Sequence, residues 1–118
     1  MIAGPFTATI AAGGTGFVLE TAPIEGMILE VGLKPTFDEG SSMDITIATK
    51  GTSSLAKTIL TLSNFDTALW YPVRQALVGL DGVALSGQYN PLSVSDPLVI
   101  TVTGGGAGDQ LDVWLELL

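Results

Sequence analysis

The sequence of 118 residues contains neither cysteine nor histidine. The absence of cysteine excludes disulfide bridges and thiolate metal sites. The absence of histidine removes the most frequent general base of enzymes and the most frequent metal ligand of proteins. A serine nucleophile would need a neighbouring base, and no motif supplies one. We therefore expect no enzymatic activity, no metal ion and no other cofactor.

Basic residues are scarce as well, with 4 lysines and arginines against 12 aspartates and glutamates and a formal net charge of -8. A surface of this charge repels nucleic acid, so we expect no nucleic-acid partner. Charged residues make up only 14% of the chain, and hydrophobic residues make up 47%. Because the outside of a monomer usually carries more charge than this, the composition indicates that other protein molecules cover part of the surface.

Long hydrophobic runs are also missing. No apolar stretch approaches the ~18 residues that cross a bilayer, and the N-terminal stretch has no basic region of the kind that opens a signal peptide. We therefore expect no membrane span and no cleaved leader. The apolar fraction is too high for a disordered chain, and the length fits one domain over residues 1–118.

What the sequence does contain is short alternating runs separated by 15 glycines and 6 prolines. Side chains alternate between the two faces of a strand, so a run with one apolar and one polar face indicates a half-buried strand. About seven or eight such runs predict an all-β, single-domain antiparallel β-sandwich, with jelly-roll and immunoglobulin-like strand orders both open. The clearest run has an apolar face of Leu111, Val113, Leu115 and Leu117 and a polar face of Asp112, Trp114 and Glu116.

Two further runs give predictions about local structure. The turn at Gly13-Gly14 is predicted to join residues 6–10 and 16–20 as partner strands. Residues 27–34 form another strand, which Lys34-Pro35 should end because proline cannot donate to a ladder. The side chains predicted to share one face of that strand are Met27, Leu29, Val31 and Leu33.

The middle of the chain is less regular. Residues 66–80 suit a short helix, although Pro72 argues against a continuous one. Asp81-Gly82 is a strong signal for a two-residue turn, so a hairpin is an equal alternative. Residues 87–96 are predicted to form a long connection.

Acidic residues occur in two glycine-rich segments that invite a chemical interpretation. Asp38-Glu39 could form a carboxylate pair, but acids in such loops are usually solvated. Residues 104–112 are similar to a nonapeptide calcium-binding repeat. However, Asp109 follows Gly108 without the residue that the repeat places between them, and the segment occurs only once. The glycines therefore favour a hairpin turn with positive φ angles.

Aromatic and arginine side chains are the types that most often dominate protein interfaces. Trp114 lies on the polar face of its strand, where it could contact a partner or pack beneath a loop. Trp70 suits the core as well as an interface. Residues 1–6 suit either an extended arm on a neighbouring subunit or a frayed terminus. The predicted interface residues are Trp70, Tyr71, Arg74, Tyr89, Trp114, Ile2 and Phe6.

The second half of the chain resembles a known family. The segments that carry the resemblance are Trp70-Tyr71-Pro72-Val73-Arg74, Gly87-Gln88-Tyr89-Asn90-Pro91-Leu92, residues 96–102, the glycine turn and the closing strand 110–118. This layout resembles the small capsid decoration (cement) proteins of tailed bacteriophages. The resemblance implies a jelly-roll-like sandwich that forms a homotrimer, binds the major capsid protein on the outer surface of the assembled capsid and stabilises it. It also implies a location on the virion after synthesis in the host cytoplasm.

Two other classes of protein remain alternatives to this resemblance. A carbohydrate- or receptor-binding β-sandwich module of a phage fibre, a tail or a cell-surface protein would use similar aromatic residues, aligned on one face beside acids and amides. A hydrolase would need two carboxylates converging in a pocket, one of them with a raised pKa. Nothing in the sequence favours the hydrolase.

Overall fold

The computed structural model describes residues 1–51, 55–73, 75–78, 84–90 and 92–118, and for 75–78 and 84–90 the description is confined to the backbone. Within these residues the chain forms strands and no helix. The strands are β1 (Ile2–Thr9), β2 (Phe17–Glu20), β3 (Ile24–Thr36), β4 (Met43–Thr49), β5 (Thr58–Phe65), β6 (Leu69–Pro72), β7 (Gln75–Val78), β8 (Ala84–Asn90), β9 (Leu92–Asp96), β10 (Leu98–Thr103) and β11 (Gln110–Leu117).

The strands form two main antiparallel sheets and a short ribbon. The first sheet has the order β1-β11-β3-β6, and β9 also pairs with β3. The second sheet has the order β2-β10-β4-β5, and β7 pairs with β8 in a separate ribbon. The two main sheets pack together through their apolar faces, which confirms the predicted all-β sandwich.

The core lies between the sheets because each contributes one apolar face. On β11 the predicted apolar residues are all at most 5% exposed. Burying each large aliphatic side chain stabilises the fold by about 1.5–3 kcal/mol. From the second sheet, the residues that are 1% exposed or less are Met43, Ile45, Ile47, Leu98, Ile100 and Val102.

A β-bulge in β3 changes the alternation predicted for that strand. The register between β3 and β11 shifts between Ile28 and Glu30, which leaves Leu29 as the extra residue. Ile28 is therefore fully buried, as is Val31, whereas Met27 and Leu29 are only partly buried. The prediction that Met27 and Leu29 share one face of the strand with Val31 was wrong, because the bulge shifts the alternation by one position.

Strand β3 also continues beyond Lys34-Pro35, where the sequence predicted its end. Pro35 lies opposite Leu111 of β11, and the strand extends to Thr36. On its other side, the pairing of β3 with β6 stops at Leu33. Proline is tolerated there because that side of the strand has no partner among the described residues, so no ladder hydrogen bond is lost.

The turn at Gly13-Gly14 does not join paired strands. Gly13 has a φ of 78°, and the N–H of Gly14 donates to the carbonyl of Ala11 at 2.9 Å. The strand before this turn pairs with β11, however, and the strand after it pairs with β10. The predicted hairpin was wrong because the turn carries the chain from one sheet to the other.

Strands occupy the middle of the chain, where a helix was one of two alternatives. Strands β7 and β8 pair with Val78 opposite Ala84, which confirms the hairpin. Its predicted turn, Asp81-Gly82, lies outside the described residues. The connection predicted over residues 87–96 was wrong, because these residues belong largely to β8 and β9, and β9 pairs with the first half of β3.

Candidate functional site

Two tryptophans meet on the outer face of the first sheet. In the antiparallel ladders, Trp114 of β11 lies opposite Gly32 of β3, and Gly32 lies opposite Trp70 of β6. Neighbouring strands are about 4.8 Å apart, so the backbones of the two tryptophans are separated by about 10 Å with a glycine between them. Both aromatic side chains therefore project from one short stretch of the sheet.

The indole of Trp70 covers Gly32. Its atoms Cδ2, Cε2 and Cε3 lie 3.0, 2.9 and 3.0 Å from the position that a β-carbon on Gly32 would take. A point equally distant from these three atoms of the six-membered ring lies above the centre of that ring. One face of the indole therefore rests on the glycine, and Trp70 as a whole is 41% exposed.

A cleft of about 230 Å³ opens beside the two indoles. Leu69, which is 56% exposed, contributes an apolar wall. The volume is below the ~300 Å³ at which pockets for drug-sized ligands begin, so it suits a single side chain or a single ring. The residues that line this tryptophan cleft are Gly32, Leu33, Lys34, Ala68, Leu69, Trp70 and Trp114.

Two glutamates lie on one side of the tryptophans. They are Glu116, two residues after Trp114 on β11, and Glu30, two residues before Gly32 on β3. Glu116 of β11 is directly opposite Glu30 of β3, which in turn is opposite Pro72 of β6. Like charges directly opposite each other in a sheet are destabilising. The N-terminal ammonium of Met1 lies 3.8 Å from Oε1 of Glu116 and donates to the carbonyl of Leu117 at 2.8 Å.

On the other side of the tryptophans the charges are balanced. Asp112 of β11 is directly opposite Lys34 of β3. The hydroxyl of Thr7 donates to Oδ1 of Asp112 at 2.6 Å, and Nε2 of Gln110 donates to the same oxygen at 3.3 Å. The tryptophan cleft opens on this side, since Lys34 lines it and neither Glu30 nor Glu116 does.

The structure brings some of the predicted interface residues together and separates others. Trp70 and Trp114 share the cleft, and Ile2 lies beside it on the same outer face, opposite Glu116. Phe6 lies opposite Val113 and packs against the core instead.

Tyr71 also turns towards the core. It lies opposite Val31, and its ring meets Phe65 edge-on at a centroid distance of 6.1 Å and an interplanar angle of 62°. Arg74 lies outside the described residues. Tyr89 belongs to β8 opposite Ala76, and its side chain lies outside the described part of the chain.

The N-terminal segment predicted as a possible arm is strand β1. It runs antiparallel to β11 of the same chain from Ile2 to Thr9, with a register shift between Ala3 and Phe6. The N–H of Leu117 donates to the carbonyl of Met1 at 2.7 Å, so the ladder extends to the first residue.

Sequence reasoning missed Gly32 and Glu30 as parts of this surface. A glycine inside a strand often marks the close approach of another group, and Gly32 sits between two apolar residues of β3. That signal was available in the sequence. The sequence could not place Glu30 on this surface, because its position beside Glu116 depends on which strand pairs with β3.

A second candidate site was the glycine-rich segment that ends at Asp109. The side chain of Asp109 is fully buried, and its Oδ1 accepts hydrogen bonds from the N–H groups of Asp38 at 2.8 Å and Gly40 at 3.0 Å. Its Oδ2 accepts from the N–H of Gly106 at 2.8 Å. Burial alone would raise the pKa of Asp109, but these backbone donors outweigh it and hold the pKa below its ordinary value.

The Asp109 carboxylate therefore joins loops rather than offering free oxygens to a cation. It links the β10–β11 loop to the β3–β4 loop, and the N–H of Ile10 donates to the carbonyl of Asp109 at 2.8 Å, which adds the β1–β2 connection. Gly104 and Gly108 have φ angles of 70° and 81°, as a glycine turn requires. Among the described residues, no group of three acidic side chains is placed to hold a metal ion.

Comparison with known proteins yields no match to a protein family, to a curated protein or to a solved structure. The described part of the chain also contains no helix with the length and apolar character of a membrane span.

Proposed function

We propose that this protein is a structural component of a phage virion that binds the outer surface of the assembled capsid as a homotrimer and stabilises it. Its partners are copies of itself and the major capsid protein, and its action involves no catalytic step. A ligand that binds only the assembled shell stabilises that shell by mass action. Several weak contacts within one oligomer give firm attachment, because each additional contact forms intramolecularly.

The observation that supports the proposal most directly is the tryptophan cleft on the outer face of the first sheet. A large aromatic side chain that is 41% exposed on a sheet face is typical of a contact surface. The backbones of Trp70 and Trp114 are held by the ladders of their strands with β3. Rigid aromatic anchors lose little conformational freedom when they are buried by a partner.

Apolar residues beside the β1–β11 ladder supply a second contact. The backbone of Met1 bonds to Leu117, so the two termini lie side by side at one edge of the first sheet. Met1, Ile2 and Leu118 are 79%, 56% and 81% exposed. We assign this edge to contacts between copies of the chain, since apolar surface that water would otherwise meet is removed when subunits associate.

The strand order supports the jelly-roll topology as part of this proposal. The early strands alternate between the sheets, since β1 and β3 lie in the first sheet and β2 and β4 in the second. The last two strands then insert centrally, β10 between β2 and β4 and β11 between β1 and β3. A double-sheet jelly roll of two Greek keys has this kind of interleaving.

Two measurements test the proposed function. Light scattering of the purified protein should give the mass of a trimer of 12.1 kDa chains. The protein should also sediment with shells assembled from the major capsid protein encoded by the same genome, and it should raise the temperature at which those shells dissociate. A monomer at high concentration that leaves the shells unbound would contradict the proposal.

A carbohydrate-binding module is a second candidate, because one observation favours it. Trp70 and Trp114 lie on the same outer face, with Asp112 and the amide of Gln110 beside them. Exposed indole faces next to polar groups suit the apolar face and the hydroxyls of a sugar ring. Saturable binding on a glycan array that is lost in the Trp70→Ala variant would favour this candidate over the virion protein.

A further inference from the structure

We propose that the tryptophan cleft receives the Ile2 side chain of a second copy of this chain, with Lys34 of the cleft paired to the Glu116 that lies beside that isoleucine. The inference rests on the proposed function, because it specifies how the copies in the homotrimer meet. It names both halves of the contact, and both lie on the outer face of the first sheet.

The lining of the cleft favours a compact apolar occupant. Both tryptophans and Leu69 contribute apolar walls, and Lys34 is the single charged residue of the lining. A volume of about 230 Å³ accommodates one aliphatic side chain, not a helix or a strand. An exposed aliphatic side chain that entered the cleft would lose its contact with water, which favours the association.

Ile2 has the properties of such an occupant. It is 56% exposed on the outer face, whereas the neighbouring Ala3 packs against the core. The ladder with β11 places Ile2 directly opposite Glu116, so its backbone position is defined before any contact forms. A β-branched side chain has few rotamers, and its burial therefore costs little conformational entropy.

The strand order separates Ile2 from the cleft of its own chain. Ile2 lies on β1 at one end of the order β1-β11-β3-β6, and Leu69 and Trp70 lie on β6 at the other end. Three strand spacings amount to about 14 Å, which an isoleucine side chain does not span. The occupant must therefore come from another copy. A contact that joins one edge of a subunit to the other edge of the next closes into a ring when the rotation between copies permits it.

The charges beside the two halves of the contact are opposite. Among the described residues, no carboxylate lies within ion-pair distance of the Lys34 ammonium, and Oδ1 of Asp112 across the ladder already accepts two hydrogen bonds. Oε1 of Glu116 lies 3.8 Å from the Met1 ammonium, which is longer than a hydrogen bond. Insertion of Ile2 would bring Glu116 of one copy to Lys34 of the other, and opposite charges across an interface fix its register.

The mass of the assembly tests the apolar half of the contact. Analytical ultracentrifugation of a dilution series gives the concentration at which half of the protein is dissociated. The Ile2→Ser substitution should raise that concentration at least tenfold, because serine leaves the cleft unfilled. Val18→Ser is the matched control, since Val18 is 69% exposed on the second sheet and should leave the concentration unchanged. Thermal unfolding of each variant shows that it is folded.

Exchange of the two charges tests the ion pair. Lys34→Glu and Glu116→Lys should each raise the half-dissociation concentration about tenfold, because each places like charges together at the contact. The double variant restores an opposite pair with the signs exchanged, so it should return to within about threefold of the original protein. The matched controls are Lys57→Glu and Glu25→Lys, which make the same charge changes elsewhere and should alter the concentration little, alone or together.

A mixture of two variants tests whether the cleft and the isoleucine belong to different copies. The Trp70→Ala variant retains Ile2, and the Ile2→Ser variant retains the cleft, so one intact contact can form between unlike chains. At a concentration at which each variant alone sediments as a 12.1 kDa monomer, the mixture should sediment as a heavier species.

Three outcomes would overturn the assignment. The Ile2→Ser variant could dissociate no more readily than Val18→Ser, the mixture could sediment as monomers, or the double charge variant could dissociate as readily as the two single ones.

Sedimentation with shells separates this inference from the proposed function. If the protein is a trimer that binds shells and Ile2→Ser leaves the trimer intact, the assigned contact is wrong and the virion role stands. If copies associate as the variants predict but the protein ignores shells, the virion role is wrong and the contact stands.

Discussion

Trp70 rests face-on upon Gly32, with its Cε2 atom 2.9 Å from the point at which a β-carbon of residue 32 would stand. The contact explains why a strand that is otherwise rich in β-branched and aliphatic residues contains a glycine at this position. It also fixes the orientation of the indole, because the ring lies flat against the backbone of residue 32. The glycine is thus a positioning residue for the tryptophan cleft.

Replacing Gly32 with valine should displace the indole of Trp70. The added carbons would occupy space that the ring now fills, and side chains inserted into packed sites cost about 1–3 kcal/mol. We expect a lower free energy of unfolding in a denaturant titration and a red shift of the tryptophan emission. The control is Thr46→Val, on β4 of the other sheet. Gly26→Val would not serve, because Gly26 has a φ of 132°, which valine rarely adopts. An unchanged emission spectrum in Gly32→Val would contradict the packing described for Trp70.

The Trp70→Ala substitution should weaken binding strongly and change the free energy of unfolding only slightly. Because the side chain is 41% exposed, its removal should cost the fold only about 1 kcal/mol. Its loss from a contact surface should weaken shell binding at least tenfold, as expected for an aromatic hot spot. Sedimentation with shells measures the effect. Val18→Ala is the control, since Val18 is 69% exposed on the second sheet and should leave binding unchanged.

Strands with one buried face and one exposed face could be predicted from the sequence. On β11 the apolar and polar residues alternate without interruption, and the structure buries the apolar set from Leu111 to Leu117. The same reasoning failed on β3, because the bulge at Leu29 arises from the register with another strand. Periodicity within one segment carries no information about its partner.

The candidate site was predictable in its residue types but not in its geometry. Trp70 and Trp114 were both identified as contact candidates, yet only the order β11-β3-β6 places them on either side of Gly32. The acidic pair depends on the same order, because Glu30 and Glu116 are distant in sequence. Tyr71 and Phe6 were grouped with the tryptophans by residue type, although the pleat turns both towards the core.

Asp109→Asn should destabilise the fold substantially. The amide keeps the shape of the side chain but replaces one acceptor oxygen with an NH2 group, which would face a backbone N–H. A lost charged hydrogen bond together with a buried donor left unpaired costs about 3 kcal/mol. Chemical denaturation measures the change. Asp66→Asn, at an exposed position where the carboxylate accepts from the neighbouring Thr67 hydroxyl, should change stability little.

The stabilisation by Asp109 should disappear in acid. Its pKa in the folded protein is lowered below the ordinary value of 3.8, because backbone N–H groups of Gly106, Asp38 and Gly40 outweigh the opposing effect of burial. Folding therefore favours the ionised form, and the stabilisation is complete above the unfolded-state value and is lost as the pH falls through the folded-state value.

Comparing the protein with Asp109→Asn isolates this group from the other 11 acidic residues, which titrate in both. The difference in free energy of unfolding should be constant between pH 7 and about pH 5 and should shrink below about pH 4, where the carboxyl of the unfolded chain becomes protonated before that of the folded protein. Urea titrations at each pH measure it. A difference that grew as the pH fell would mean that Asp109 is neutral in the folded protein, which its three backbone donors forbid.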